Sequence, residues 1–420
     1  MTIATDPAAS PRVSDELPLL KPYRAPRLRS LDAFRGITIA GMILVNNPGD
    51  GSHVYGPLEH APWDGWTPTD LVFPFFLFIV GVALPFSTAA RRARIAGRSK
   101  LPLVLNVLRR FAMLFALGLM LNAIPSRLPS GSDPGNGFFN LAHLRFWGIL
   151  QRIALAYLPA GLLTVFTMDE SPAAEPRGSR SGGWQVRAWT AAALLALYAA
   201  LMLSFSAPGS PRGDLSRGGN FASWLDRTLL PNHLYTKNHD PEGLLSTIPA
   251  IATALLGTLA GEWLRSRKVP FEKVSGLLAF GVVGILAGYL ADQMVMPVNK
   301  NLWSPSFVLL TAGLALLFFG FCYWLIDVLG YQKWAWPFYV LGLNPITAFV
   351  LSGIVTKLSI LIRWHAAGGR VVALRSWIYS HGFAYYGSTA NTSLAFAVVY
   401  VLLFLVLLTP LYLRRIVIKI

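Results

Sequence analysis

"TSLAFAVVYVLLFLVLLTPLYL" fills residues 392–413 without one charged side chain. A bilayer core ~30 Å thick needs about 20 apolar residues to be crossed as a helix. A membrane β-barrel would show short segments of alternating polarity, and this run does not alternate. Runs of the same kind recur along the chain. Hydrophobic residues make up 54% of it and charged residues 13%, against ~25% charged in soluble domains. The expected fold is therefore all-α, a polytopic helical membrane protein of about ten transmembrane helices. The spans read as 31–47, 66–89, 101–124, 144–167, 184–206, 244–264, 274–296, 302–329, 336–360 and 392–413. The less apolar segment 361–391 is read as holding a short or re-entrant helix.

The net charge of +16 is spread over many short loops, so no nucleic-acid partner is expected. Membrane topology accounts for it. With the N-terminus inside, inner segments carry roughly twice the Lys and Arg of outer ones, as the positive-inside rule requires. Both termini are then cytoplasmic. Residues 1–28 are polar and proline-rich and lack the apolar core of a signal peptide. They read as a disordered cytoplasmic tail before a single domain, 29–420. The one cysteine, Cys322, excludes an intrachain disulfide and cysteine metal clusters, and no metal is expected.

Ionisable groups inside spans are costly and face a cavity or a partner. At ~100° per residue, Asp32, Arg35, Ile39, Met42 and Asn46 share one stripe of the first span. That stripe is suited to line a route across the membrane. A plain Asp32–Arg35 pair explains part of it equally well. Arg109 and Arg110 lie two to three turns into the third span. Adjacent residues cannot point the same way, so one can snorkel to headgroups while the other faces an anion such as phosphate. Gln151 and Arg152 sit comparably deep in "GILQRIALAY".

The stretch "LEHAPWDGWTPTD", 58–70, joins the first two spans on the outer side and concentrates Glu59, His60, Asp64 and Asp70 with two tryptophans. Helix capping by Thr67 or Thr69 explains Asp70 by itself. It does not explain His60. Two further polar stretches, "DPEGLLSTIPA" and "PVNKNLWSPSFVL", open later spans on the same side. They carry Asp240, Glu242, Asn299, Lys300, Asn301 and Trp303, for which capping and, for Trp303, interfacial anchoring are the plain accounts. No GxSxG, HExxH or P-loop motif occurs.

Together, "RLRSLDAFRGITIAGMILVNNPG", "LEHAPWDGWTPTDLVFPFFLFIVG", "GILQRIALAY", "DPEGLLSTIPAI" and "PVNKNLWSPSFVL" resemble the transmembrane acyltransferase family that includes heparan-α-glucosaminide N-acetyltransferase. The match runs from residue 27 to about 310. Beyond it, "GLNPITAFV" is the best piece. Here the family pattern often has Asn where this chain has Asp64.

The resemblance implies transfer of acetyl from cytoplasmic acetyl-CoA to the amine of a glucosamine-type sugar at the outer face. It implies His60 as the catalytic histidine, with Asn46 and Asp70 at the matching Asn and Asp. An imidazole serves as a base near neutral pH or as a transient acetyl carrier. Arg35, Arg109, Arg110, Gln151 and Arg152 are the candidates for holding acetyl-CoA. Asn47, Asp240, Glu242, Asn299, Lys300, Asn301 and Trp303 are the candidates for the sugar. Residence in a bacterial inner membrane and a homodimer fit the resemblance. A transporter of amino sugars or muropeptides, or a transferase acting on an envelope polysaccharide, are the competing readings. No internal repeat is visible, which weighs against transport.

Overall fold

Helices that are apolar on every side have no face for water, and their backbone groups must all be satisfied within the helix. The chain follows that constraint. A computed structural model describes residues 28–95, 99–125, 143–168, 182–236, 238–365 and 371–418. The expected tail, 1–28, lies outside the described residues except for Leu28. Thirteen α-helices are present among the latter: α1 (Arg29–Val45), α2 (Val72–Ile95), α3 (Leu101–Ala123), α4 (Ile149–Thr167), α5 (Gly183–Ser204), α6 (Phe221–Leu229), α7 (Thr247–Arg265), α8 (Pro270–Met294), α9 (Pro305–Tyr323), α10 (Trp336–Leu343), α11 (Pro345–Leu361), α12 (Leu374–Gly382) and α13 (Ala390–Leu413). The only strands described, Arg363–His365 and Val371–Ala373, form a small antiparallel hairpin.

Among the described residues eight helices are each long and apolar enough to cross a bilayer, and the bent pair α10 and α11 passes the same test only when taken together. The tenth expected span is α1, whose 17 residues lie at the short end of the spanning range. The span expected at 336–360 is not one straight helix. It breaks between α10 and α11 with a 71° bend. The cause is the Asn344–Pro345 pair: proline removes a backbone donor and biases the residue before it away from helical geometry, and Asn344 sits at φ −128°, ψ 60°. Its side chain holds the chain's far end, donating to Ile416 O and accepting from Ile418 N. The segment 361–391 resolves into the hairpin and α12.

Buried residues dominate α2, α4, α7 and α9, whereas α3, α8 and α13 expose most of their apolar surface. The first group is the bundle's centre and the second its lipid-facing rim. The central pair α2 and α7 packs backbone to backbone. A Cβ built on Gly81 would lie 2.0 Å from Ala254 O, and one on Gly257 2.2 Å from Phe78 O. Small residues that permit such approach are how helices associate in lipid. This contact fixes α2, into which the 3-10 turn Pro68–Leu71 with Asp70 leads.

Gly257→Val should therefore separate α2 from α7 and cost roughly 3 kcal/mol or more. Gly382→Ala, where an added Cβ meets nothing within 4 Å, should be neutral. Thermal unfolding followed by size-exclusion fluorescence compares the two.

Candidate active site

The loop 46–71 returns the chain from the end of α1 to the start of α2. It is organised by Asp70, whose side chain is 1% exposed. Asp70 Oδ2 accepts from the backbone N–H groups of Ala61 and Thr67, each at 3.0 Å, and from the Thr67 hydroxyl at 3.2 Å. That is the capping role expected of it. Its other oxygen, Oδ1, lies 2.6 Å from His60 Nδ1. Nδ1 then carries the proton and donates it to Asp70, which leaves Nε2 with the free lone pair. The His60 side chain is 53% exposed and faces a cavity.

Lys300 completes the cluster. Its Nζ lies 3.2 Å from Asp70 Oδ1 and 2.9 and 3.3 Å from His60 Nδ1 and Nε2. An ammonium this close to both ring nitrogens lies over the face of the imidazole, so the in-plane lone pair of Nε2 stays open to the cavity. Burial pulls the Lys300 pKa below its ordinary value, and Asp70 opposes this. The turn bearing Lys300 is pinned on both sides. Asn299 is fully buried and donates to Asp64 Oδ1 at 3.1 Å, while its Oδ1 accepts from Leu302 N at 2.9 Å. Gly65 N donates to Val298 O at 2.7 Å. Gly65 has φ +91°, a conformation that favours glycine. Asp64 thus joins two loops.

The cavity has a volume of about 400 Å³, within the range of small-molecule sites. Its floor is apolar, with Ile39 and Met42 from α1, Phe73 and Phe76 from α2, Ile149 and Ile153 from α4, and Ile346 and Phe349 from α11. Its mouth is polar, with Asn46, His60, Lys300, Asn301, Arg145, Glu242, Tyr235, His239 and Arg217. Arg145 grips Asp240 with two hydrogen bonds, Nε to Oδ2 at 2.9 Å and Nη2 to Oδ1 at 2.6 Å, and also pairs with Glu242. Its guanidinium lies 4.6 Å from the Tyr235 ring centroid. Burial alone would raise the Asp240 pKa, but the Arg145 contacts prevail and hold it below the ordinary carboxylate range. Asp240 also accepts from Tyr235 N and Glu242 N. It is a brace, and Glu242 is the carboxylate that reaches the cavity.

Of the residues singled out from sequence, Asn46, His60, Asp70, Glu242, Lys300 and Asn301 line this cavity. The others lie outside its wall. Asn47, next to Asn46, turns away into the core, where it donates to Ile43 O and accepts from Thr356 and Arg375. Trp303 is 1% exposed, so it is a core residue and no interfacial anchor. Its indole donates to Thr253 and lies under the Arg152 guanidinium. Arg152 donates to Gly243 O and Ser246, bracing the loop that holds Glu242. Gln151 is buried against Gly118 and Gly148. Arg35 pairs with Asp32 at 3.4 Å, one turn below Ile39. Arg109 is exposed, and Arg110 stacks on Tyr157, 5.2 Å from its ring centroid. Arg145, Arg217, Tyr235 and His239 were not anticipated. The one signal for Arg145 was the acidic "DPE" at 240–242, which calls for a cation.

The helical bundle and its cavity define a polytopic membrane protein with a His60–Asp70–Lys300 cluster of titratable groups at one end of its spans. The family described as "Heparan-alpha-glucosaminide N-acetyltransferase, catalytic" matches residues 27–172. Heparan-alpha-glucosaminide N-acetyltransferase of Mus musculus is 30% identical over 382 residues, covering 81% of this chain and 56% of the relative. That of Homo sapiens is 30% identical over 363 residues, covering 77% and 52%. The chain belongs to this transmembrane acyltransferase family, and it spans about half the length of these relatives.

Asp226 on α6 accepts from Leu244 N at 2.9 Å and so helps to set the Glu242 loop. Burial raises its pKa to about 6, above the ordinary value. The folded state then binds this proton more tightly than the unfolded state. Stability should fall as pH rises from about 4 to about 6. Thermal melts across that window should show the slope in wild type and a shallower one in Asp226→Asn.

Proposed function

We propose that the protein is a membrane-embedded acetyltransferase. It moves acetyl from cytoplasmic acetyl-CoA to the amine of a glucosamine-type sugar at the outer face, with His60 as base or transient acetyl carrier. The observation that carries this reading is the His60 ring, held by Asp70 through Nδ1 and open at Nε2 to a cavity with a polar mouth. Asp70 fixes the tautomer and offsets charge as the ring gains a proton. A sugar ammonium must lose a proton before its nitrogen attacks, and Nε2 is the acceptor in place. Asn46 supplies an amide to the reacting carbonyl. Glu242 is placed to meet the ammonium and hydroxyls of the acceptor.

Acetyl-CoA is a polyanion, and the inner ends of α2 and α3 suit one. Arg94, Arg109, Arg110 and Tyr157 all lie within electrostatic range of Arg91. Arg110 Nε is buried without a hydrogen-bond partner. These arginines and Arg35 would bind the nucleotide phosphates. Bound there, acetyl-CoA supplies the thioester that the outer cluster acts on. In this reading residues 29–420 work as one unit with both termini cytoplasmic. The setting is a bacterial inner membrane, and the assembly is a homodimer.

Purified protein given acetyl-CoA and glucosamine should release free thiol. His60→Ala should lower the rate by about 10²–10⁴-fold, and Asp70→Asn should lower it through the lost tautomer control. Full activity in a folded His60→Ala protein would remove His60 from the mechanism. A transporter would instead move unmodified sugar without releasing thiol. Acetyl-enzyme that accumulates without acceptor selects the carrier route, and its absence under rapid quench selects direct transfer.

A further inference from the structure

Sugar binding does not account for the position of Lys300. A side chain that only held an acceptor would reach into the open cavity. The Lys300 ammonium instead lies against the imidazole and Asp70, 2.9 Å from Nδ1, 3.3 Å from Nε2 and 3.2 Å from Oδ1. Its side chain is 19% exposed. Its backbone is fixed by the buried Asn299 turn, the Gly65–Val298 bond and the Ser304 cap of α9. Such a donor is in place before any substrate arrives.

We propose that Lys300 is a catalytic residue whose ammonium stabilises the oxyanion formed when an acyl carbonyl is attacked beside His60 Nε2. The inference rests on His60 being the acyl-transfer residue. On addition, the nucleophile's nitrogen bonds to the carbonyl carbon and the C=O π pair moves onto oxygen. That oxygen is two covalent bonds from the attacking atom. A donor 3.3 Å from Nε2 reaches it when the attacking atom is Nε2 or an amine hydrogen-bonded there. Lys300 donates a hydrogen bond and keeps its proton. On collapse the pair re-forms C=O, the carbon–sulfur bond breaks, and the departing thiolate takes the proton released by the nucleophile. Asn46 faces the same cavity, but a charged donor makes the stronger hydrogen bond to an anion. Burial pulls the Lys300 pKa down, and the carboxylates of Asp70 and Glu242 oppose that shift.

Diethyl pyrocarbonate tests this without the natural substrates. Its carbonyl is attacked by an imidazole nitrogen, passes through an oxyanion and expels ethyl carbonate. The rate of His60 modification is read by peptide mass spectrometry at about pH 8, where an ordinary imidazole is neutral. Lys300→Met should slow His60 by roughly 10²-fold. His53 and His381, exposed elsewhere, should react as in wild type and report on folding. Lys300→Arg should restore much of the rate. Lys300→Gln serves if the methionine variant does not fold. An unchanged or faster His60 reaction in these neutral variants would overturn the proposal.

In turnover with acetyl-CoA, kcat should fall with little change in the donor's KM. A loss confined to the KM for sugar would make Lys300 a binding residue and overturn the proposal. If wild type releases no thiol with glucosamine, the acceptor reading fails while the probe reaction still decides the role of Lys300.

Discussion

A carboxylate buried beside a membrane must be paired and hydrogen-bonded or lose its charge. Asp70 meets that requirement with three donors on one oxygen and His60 and Lys300 on the other. Every one of these partners comes from one of two loops, the one that leads into α2 and the one that leads into α9. The anion therefore sets the tautomer of His60, the path of residues 59–67 and the approach of the Lys300 turn at once. The His60 ring and the start of a membrane span are thus positioned by the same carboxylate.

Much of this was legible because helical periodicity and membrane cost are strong signals. The stripe through Ile39, Met42 and Asn46 places these three residues in the cavity wall, as a 100° step predicts. The same step turns Asn47 inward to Thr356, and adjacency alone does not distinguish the two asparagines. Asn299 and Lys300 diverge in the same way, one into the Asp64 contact and the other onto His60. The 71° break at Asn344–Pro345 was missed because total apolar length hid a proline that the dipeptide itself announced.

Long-range pairing was not legible. Arg145 meets Asp240 across 95 residues, and a periodicity along one helix carries no information about such a contact. Trp303 shows the converse failure. A tryptophan at a span end fits an interfacial anchor by composition, yet Thr253 and Arg152 enclose it in the core. The family resemblance supplied roles for His60, Asn46 and Asp70. Only the geometry separates Glu242, which reaches the cavity, from Asp240, which braces it.

In the proposed function acetyl crosses the membrane within one protein, from inner arginines to an outer imidazole. Proteoliposomes with radiolabelled acetyl-CoA trapped inside and glucosamine supplied only outside test that claim most directly. Labelled N-acetylglucosamine should appear in the external medium while CoA stays in the lumen. Product that forms only when donor and acceptor share one compartment would contradict it.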